Sequence, residues 1–163
     1  MIVRPGDEAR DAGAILAIVN DAILNSTAWY EYEPWDAARM TSWFAAKRAG
    51  GWPVLVAEAG DGALGFASFG TFRDRPAYLH TVEHSVYVAA AARGQGIGRR
   101  LLGALVEEAR VRGLHTMIGG VDAANEGSLA FHRALGFAEA GRMREVGRKF
   151  DRWLDLIFMQ KLL

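Results

Sequence analysis

His80–Ala89 reads HTVEHSVYVA, and a run so rich in valine, threonine and tyrosine favours an extended strand. Three glycines then follow at alternate positions, Gly94, Gly96 and Gly98, in the stretch ARGQGIGRRLL. Directly behind them Leu101, Leu102, Leu105, Val106 and Ala109 recur at three- and four-residue spacing, the signature of a helix with one apolar face. A strand, a bare loop and an amphipathic helix in that order leave few architectures open. The helix must bury its face on the sheet that holds the strand, which makes the unit part of a layered α/β fold. Clustered glycine is entropically costly, so it needs a reason. A helix N-terminus supplies one. Its free N–H groups and the positive end of its dipole suit an anion, and glycine lets the anion reach the backbone. Arg93, Arg99 and Arg100 add positive charge there.

The other elements follow from the same rules. Ile2–Arg4 is a short strand. Asp7–Asn25 carries Ile15, Ile18, Val19, Ala22 and Ile23 on one helical face, and a second helix from Trp35 to Ala49 stops at Gly50 and Gly51. PVLVAEA (53–59) reads as a strand that turns through GDG (60–62) into a partner, ALGFASFGTF (63–72). The helix behind the glycine loop spans Gly98–Arg112, with Glu108 four residues before Arg112. HTMIGGV (115–121) is a strand and NEGSLAFHRAL (125–135) a helix closed by Gly136. Two strands, Ala138–Val146 and Trp153–Leu162, end the chain. The order β-α-α-β-β-β-α-β-α-β-β predicts one α/β domain, a mixed central sheet flanked by about four helices, over residues 1–163.

Composition narrows the function. At 163 residues a chain buries roughly 70% of its unfolded surface, enough for a full core. Nineteen basic residues balance nineteen acidic ones, which argues against nucleic acid or an acidic membrane as partner. The absence of cysteine removes disulfides, thiolate metal sites and any acyl-cysteine intermediate. No apolar run approaches the ~18 residues of a membrane span, and MIVRPGDEARDAG lacks a signal-peptide core, so the expectation is a soluble cytoplasmic protein.

Rival glycine motifs fit poorly. The spacing is GxGxG rather than the GxGxxG of dinucleotide sites, and the Gly-Lys-Ser/Thr of a phosphate loop is absent. His80 and His84 are four apart, but on a strand that separates them by about 13 Å, so no metal site is expected. Arg93, Gly96 and Gly98 instead match the Arg/Gln-x-x-Gly-x-Gly/Ala signature of GNAT-type N-acetyltransferases, and the element order matches across nearly the whole chain. TVEHSVYV, LAFHRALGF and MREVGRKFDRWLDLIFMQ more closely resemble the phosphinothricin and methionine sulfoximine/sulfone acetyltransferase branch. Two departures stand out: Asp151 occupies a turn position where that branch usually has glycine, and alanines precede the loop where polar residues are common.

The resemblance implies acetyl-CoA as co-substrate, no metal, a homodimer, and a small amino-acid-like acceptor. It places the co-substrate against Val86, Tyr87 and Val88, whose backbone N–H groups (those near Tyr87 and Val88) receive the carbonyl oxygen. The loop residues Arg93, Gly94, Gln95, Gly96, Ile97, Gly98 and Arg99 cradle its pyrophosphate, and Asn125 bonds its pantetheine arm. Asn125 also suits a helix cap. Strand alternation puts Thr81, Glu83, Ser85 and Tyr87 on one face, with His80, Val82, His84, Val86 and Val88 on the other. Glu83 is therefore a candidate base beside a bound thioester. His132, four residues before Gly136, is the candidate acid or positioner, or else a polar contact between helix and core. Arg73, Asp74 and Arg75, with Glu83, His84 and Ser85, are the candidate acceptor residues, because an arginine fork suits a carboxylate. Other readings are acetylation of a peptide N-terminus, polyamine or aminoglycoside, or a non-catalytic acyl-CoA-sensing module, which has no need of Glu83 or His132. The aromatic stretch Thr27–Trp35 fits either pocket or interface.

Overall fold

A computed structural model describes residues 1–60 and 62–163; Asp61, the middle of the GDG turn, lies outside the described residues. The strands are β1 (Ile2–Pro5), β2 (Val54–Ala59), β3 (Gly62–Thr71), β4 (Thr81–Val88), β5 (Thr116–Asp122), β6 (Ala138–Lys149) and β7 (Arg152–Leu162). The helices are α1 (Glu8–Asn25), α2 (Ala37–Ala49), α3 (Ile97–Val111) and α4 (Glu126–Ala134). Their order is the one read from the sequence. Asp7, read as the first helical residue, and Asp36, read as lying inside a helix that begins at Trp35, are instead caps whose side chains accept from Arg10 and Arg39 N–H. Two short 3₁₀ turns, Pro76–Tyr78 and Ala90–Ala92, carried no periodic signal and were not anticipated. β6 also runs three residues past Val146. Phe150 and Asp151 close its turn to β7 in the left-handed region, at φ 51° and 56°. Aspartate tolerates that region better than most residues, which accounts for its standing where glycine is usual.

The seven strands form one sheet in the order β1-β2-β3-β4-β5-β7-β6, antiparallel except between β4 and β5. Helices α1 and α2 cover one face, where Ile15, Val19, Met40 and Phe44 pack with Val56 and Phe66. On the other face α3 presents Leu101, Leu102, Leu105 and Ala109 to Phe69, Val82 and Met117. Burying each large apolar side chain of these cores stabilises the fold by about 1.5–3 kcal/mol.

The parallel pair is short. β4 and β5 match only from Thr81 opposite Thr116 to Glu83 opposite Ile118. Beyond it, His84–Val88 bond to β3 alone, and Gly119–Asp122 bond to β7 alone. The sheet thus opens a wedge in its middle. Where β3 holds the free stretch of β4, Gly65 faces Val88, and a Cβ on Gly65 would lie 2.7 Å from Tyr87 O. Gly65→Ala should therefore push the two strands apart and lower stability by about 1–3 kcal/mol, read as a reduced urea midpoint.

Candidate active site

The wedge holds a cavity of about 660 Å³, lined by the end of β4, the glycine loop, the first turn of α3, Gly120, and α4. Gly94 and Gly96 adopt φ 77° and 76°, with open space where a Cβ would stand. Their glycine is required by the backbone, not by crowding. Helices α1, α2 and α4 each start under an aspartate or asparagine cap; α3 starts on Gly96 with no side-chain cap. The first backbone bond back to Gly96 O comes from Arg100, so the N–H groups of Ile97, Gly98 and Arg99 have no intrahelical acceptor. Gly96, Ile97, Gly98 and Arg99 all line the cavity. This first turn, with Arg99 beside it, fits a pyrophosphate.

Other expected co-substrate residues divide. Arg93 lines the cavity, with its guanidinium bonded to Asp21 at 2.9 Å and to Val88 O at 3.2 Å. Gln95 does not line it; its amide points back to Ala91 O. Asn125 lines the cavity while its Oδ1 accepts from Ser128 N–H at 3.0 Å, so the capping role is in place. Along β4, Ala89 N–H donates to Leu64 O on β3. Alternation then directs Tyr87 N–H to β3 as well, and turns Val86 and Val88 N–H into the wedge. The backbone donors are thus those of Val86 and Val88. This corrects the expectation for Tyr87, whose contribution is its ring and its hydroxyl, which donates to Ala28 O at 2.9 Å.

A second cavity of about 370 Å³ adjoins the first, the two sharing Ala28, His84, Ser85, Tyr87 and Gly120. Glu83 lines it, together with Trp29, Tyr30, Glu31, Asp122 and Leu156. Burial pushes the Glu83 carboxyl above the ordinary carboxylate range, and the charge of Arg73 partly opposes the rise. Arg73 itself lies over the Phe72 ring at 5.2 Å, and neither it, Asp74 nor Arg75 lines either cavity. The stretch Thr27–Trp35 also resolves: Ala28–Glu31 wall the second cavity, whereas Tyr32 and Glu33 face outward.

The sequence profile of the Acetyltransferase (GNAT) family matches residues 20–137. The chain belongs to the GNAT acetyltransferases. It is 48% identical over 157 residues to the L-methionine sulfoximine/L-methionine sulfone acetyltransferase of Pseudomonas aeruginosa, covering 93% of this chain and 91% of that one. An acetyltransferase from Salmonella typhimurium, solved with acetyl-CoA, superposes with a TM-score of 0.96 at 43% identity, covering 100% and 94% of the two chains. A ribosomal-protein-alanine N-acetyltransferase from Brucella melitensis superposes with a TM-score of 0.97 at 47% identity, covering 100% of both.

In this GNAT acetyltransferase the two histidines of the site form a pair. His132 Nδ1 lies 2.7 Å from Ser128 O, a group that only accepts, so Nδ1 carries the proton. Its Nε2 is then a lone pair, 3.2 Å from His84 Nε2, which donates to it. The His84 Nδ1 left over is buried without a partner. Burial holds both imidazoles below their ordinary pKa, and for His84 the neighbouring ring adds to the effect. His132 therefore has no free proton to offer as an acid in this arrangement. His84, expected among acceptor-binding residues, borders both cavities but spends its ring on His132 and stacks at 5.1 Å between centroids.

Gly119 makes the pair possible. A Cβ there would lie 2.4 Å from His84 Nε2 and 3.0 Å from His132 Nε2. Sequence reading passed over it, although two adjacent glycines inside a strand are a recognised sign of close approach. Gly119→Ala should displace the rings and lower the thermal midpoint by several degrees, as for an overpacked core site. Because the folded chain resists protonating these histidines, their contribution is complete above the ordinary histidine pKa of about 6.5 and declines as pH falls below it. Urea titrations between pH 7.5 and 5 should show that decline, and His84→Asn should flatten it.

Proposed function

We propose that this GNAT chain catalyses acetyl-CoA-dependent N-acetylation of the α-amino group of small amino-acid analogues such as methionine sulfone, methionine sulfoximine or phosphinothricin. The observation that carries this reading is the meeting of the two cavities at His84, Ser85 and Gly120, with Glu83 in the smaller one beside that junction. The larger suits the thioester and its pyrophosphate, and the smaller suits the acceptor. The amine nitrogen attacks the thioester carbonyl, a C–N bond forms, the C–S bond breaks and CoA leaves as its thiolate, which takes a proton from water. Val86 and Val88 N–H receive the oxygen as negative charge develops. Glu83, with its raised pKa, takes the proton the amine loses, directly or through a water. His132, tied to Ser128 and His84, positions the α4 wall. Arg73, whose charge is felt at Glu83, is the cation proposed for the acceptor's carboxylate; Asp74 and Arg75 line neither cavity and have no such link to Glu83. With no cysteine to carry an acetyl group, transfer is direct in a ternary complex.

A peptide N-terminus is the second reading. It is favoured by the likeness to the Brucella melitensis structure and by the carboxylates of Glu31, Glu83 and Asp122 around the acceptor cavity, which suit a cation. We also propose a cytoplasmic homodimer. Met143 and Val146 on the edge strand β6, and Trp153 on β7, are exposed apolar groups suited to an interface, and light scattering should give twice the mass of one chain.

The deciding experiment follows CoA release with a thiol-reactive dye across the three analogues, ordinary amino acids and alanine-initiated peptides. Release dependent on the analogues supports the first reading; release confined to peptides overturns it in favour of the second. Glu83→Gln should lower the rate by ~10²–10⁴ with acetyl-CoA affinity unchanged. In the wild type, kcat/KM should rise with pH as Glu83 ionises, at a midpoint above the usual carboxylate value of about 4.3, and that limb should vanish in Glu83→Gln.

A further inference from the structure

The wall of the acceptor cavity is irregular chain. Ser26–Asp36 contains neither helix nor strand, so no ladder of backbone bonds holds it in place. Side chains hold it instead, and three consecutive residues of β6 take part. Where a Cβ on Gly147 would stand, the Tyr30 ring lies 2.7 Å away. Arg148 O accepts from the Tyr32 hydroxyl at 2.6 Å. Lys149 Nζ donates to Trp29 O at 2.7 Å.

Lys149 is the unusual member. The chain has only three lysines, and this one is 3% exposed. Among the described residues no carboxylate pairs with it, and its one hydrogen-bond acceptor is the Trp29 carbonyl. Burial pushes its pKa down, against a pull from the charge of Glu31. A buried ammonium with a single acceptor is expensive, and an apolar side chain of the same length fills the space at less cost. What the ammonium secures is the residue next to the catalytic face. Trp29 packs on the Tyr87 ring at 4.9 Å and on Trp35 at 5.3 Å. Its indole N–H donates to Glu31 at 3.1 Å, and Trp35 donates to the same carboxylate at 2.9 Å. Those bonds and Arg39 outweigh burial and hold the Glu31 carboxyl below its ordinary range.

We infer that Lys149 is a positioning residue of the acceptor site: reaching from the β6–β7 hairpin, it clamps the Trp29 carbonyl and so fixes the Ala28–Glu31 wall that selects the acceptor. The selecting role rests on the reading of the smaller cavity as the acceptor site; the clamp does not. Of the larger cavity's lining only Ala28 belongs to this wall, and the glycine loop and first turn of α3 that suit the pyrophosphate lie elsewhere, so the clamp bears on the acceptor rather than on acetyl-CoA.

The test has two arms on the full-length protein. In the first, amide hydrogen exchange by mass spectrometry compares wild type with Lys149→Met. Exchange within residues 26–36, read at the amides of Ala28 and Trp35 that donate to Ser26 Oγ and Asn20 Oδ1, should accelerate about 10- to 100-fold, the factor for losing a hydrogen bond from a charged donor, with α3 and β5 unchanged. Lys161→Met removes a similar lysine-to-carbonyl bond, to Leu135, and should leave residues 26–36 at the wild-type rate. Unchanged exchange in Lys149→Met, or equal acceleration everywhere, overturns the clamp. Lys149→Gln keeps a donor on a shorter stem; it should give an intermediate acceleration, and wild-type exchange in that variant also overturns it, even if Lys149→Met does not fold. In the second arm, Lys149→Met should raise KM for methionine sulfone about tenfold with KM for acetyl-CoA unchanged. A merely structural lysine would lower the active fraction, hence kcat, and leave both KM values alone. A loosened wall with an unaltered acceptor KM overturns the selecting role. A wild type inactive on every analogue counts against the proposed function, and the exchange arm still decides the clamp.

Discussion

Everything functional in this molecule depends on three residue pairs. β4 and β5 are parallel partners only from Thr81 and Thr116 to Glu83 and Ile118, and then they separate. Separation costs backbone hydrogen bonds on the facing edges of both strands, and each strand keeps only the bonds of its other edge. β3 holds the far side of β4, and β7 holds the far side of β5. The freed N–H groups of Val86 and Val88 are left as donors in a cleft, which is why they are the groups proposed to receive the developing oxyanion. A continuous sheet of the same strands would be more stable and would have no site.

The same separation allots each face of β4 its own chemistry. Glu83 looks toward the α1 side, beneath the irregular chain of Ser26–Asp36, and His84 looks toward α4. Gly119 and Gly120, the first residues of β5 past the pairing, leave room for both: the histidine pair fills the space at Gly119, and Glu83 Oε1 lies 3.5 Å from where a Cβ of Gly120 would be. Two adjacent glycines thus accommodate groups on opposite faces of one sheet. The histidine pair links β4 directly to α4 across β5, so two walls of the larger cavity are tied together.

Much of this is legible in the sequence. Element order, the uncapped glycine start of α3 and the facing of Glu83 and Tyr87 along β4 all follow from local periodicity and the chemistry of glycine. The reading failed where a side chain's partner is distant in sequence. His84 is read as an acceptor residue and does border both cavities, yet its ring is taken up by a partner 48 residues away on α4. Arg73, Asp74 and Arg75 look like an anion clamp; the 3₁₀ turn that follows them carries no periodic signal and the loop lines neither cavity, so what supports a part for Arg73 is its charge at Glu83. Lys149 gave no signal at all, because a lysine in a strand is ordinarily solvated.

By itself the sequence determined the helices and strands, the anion-binding loop and the family, because each is written in contiguous residues whose spacing has one physical solution. Only the tertiary structure decided which N–H groups enter the wedge, which nitrogen of His132 holds the proton, and what fixes the acceptor wall. Those are contacts between segments tens of residues apart, and they are set by how the sheet splits and what packs across the split, for which no local pattern exists.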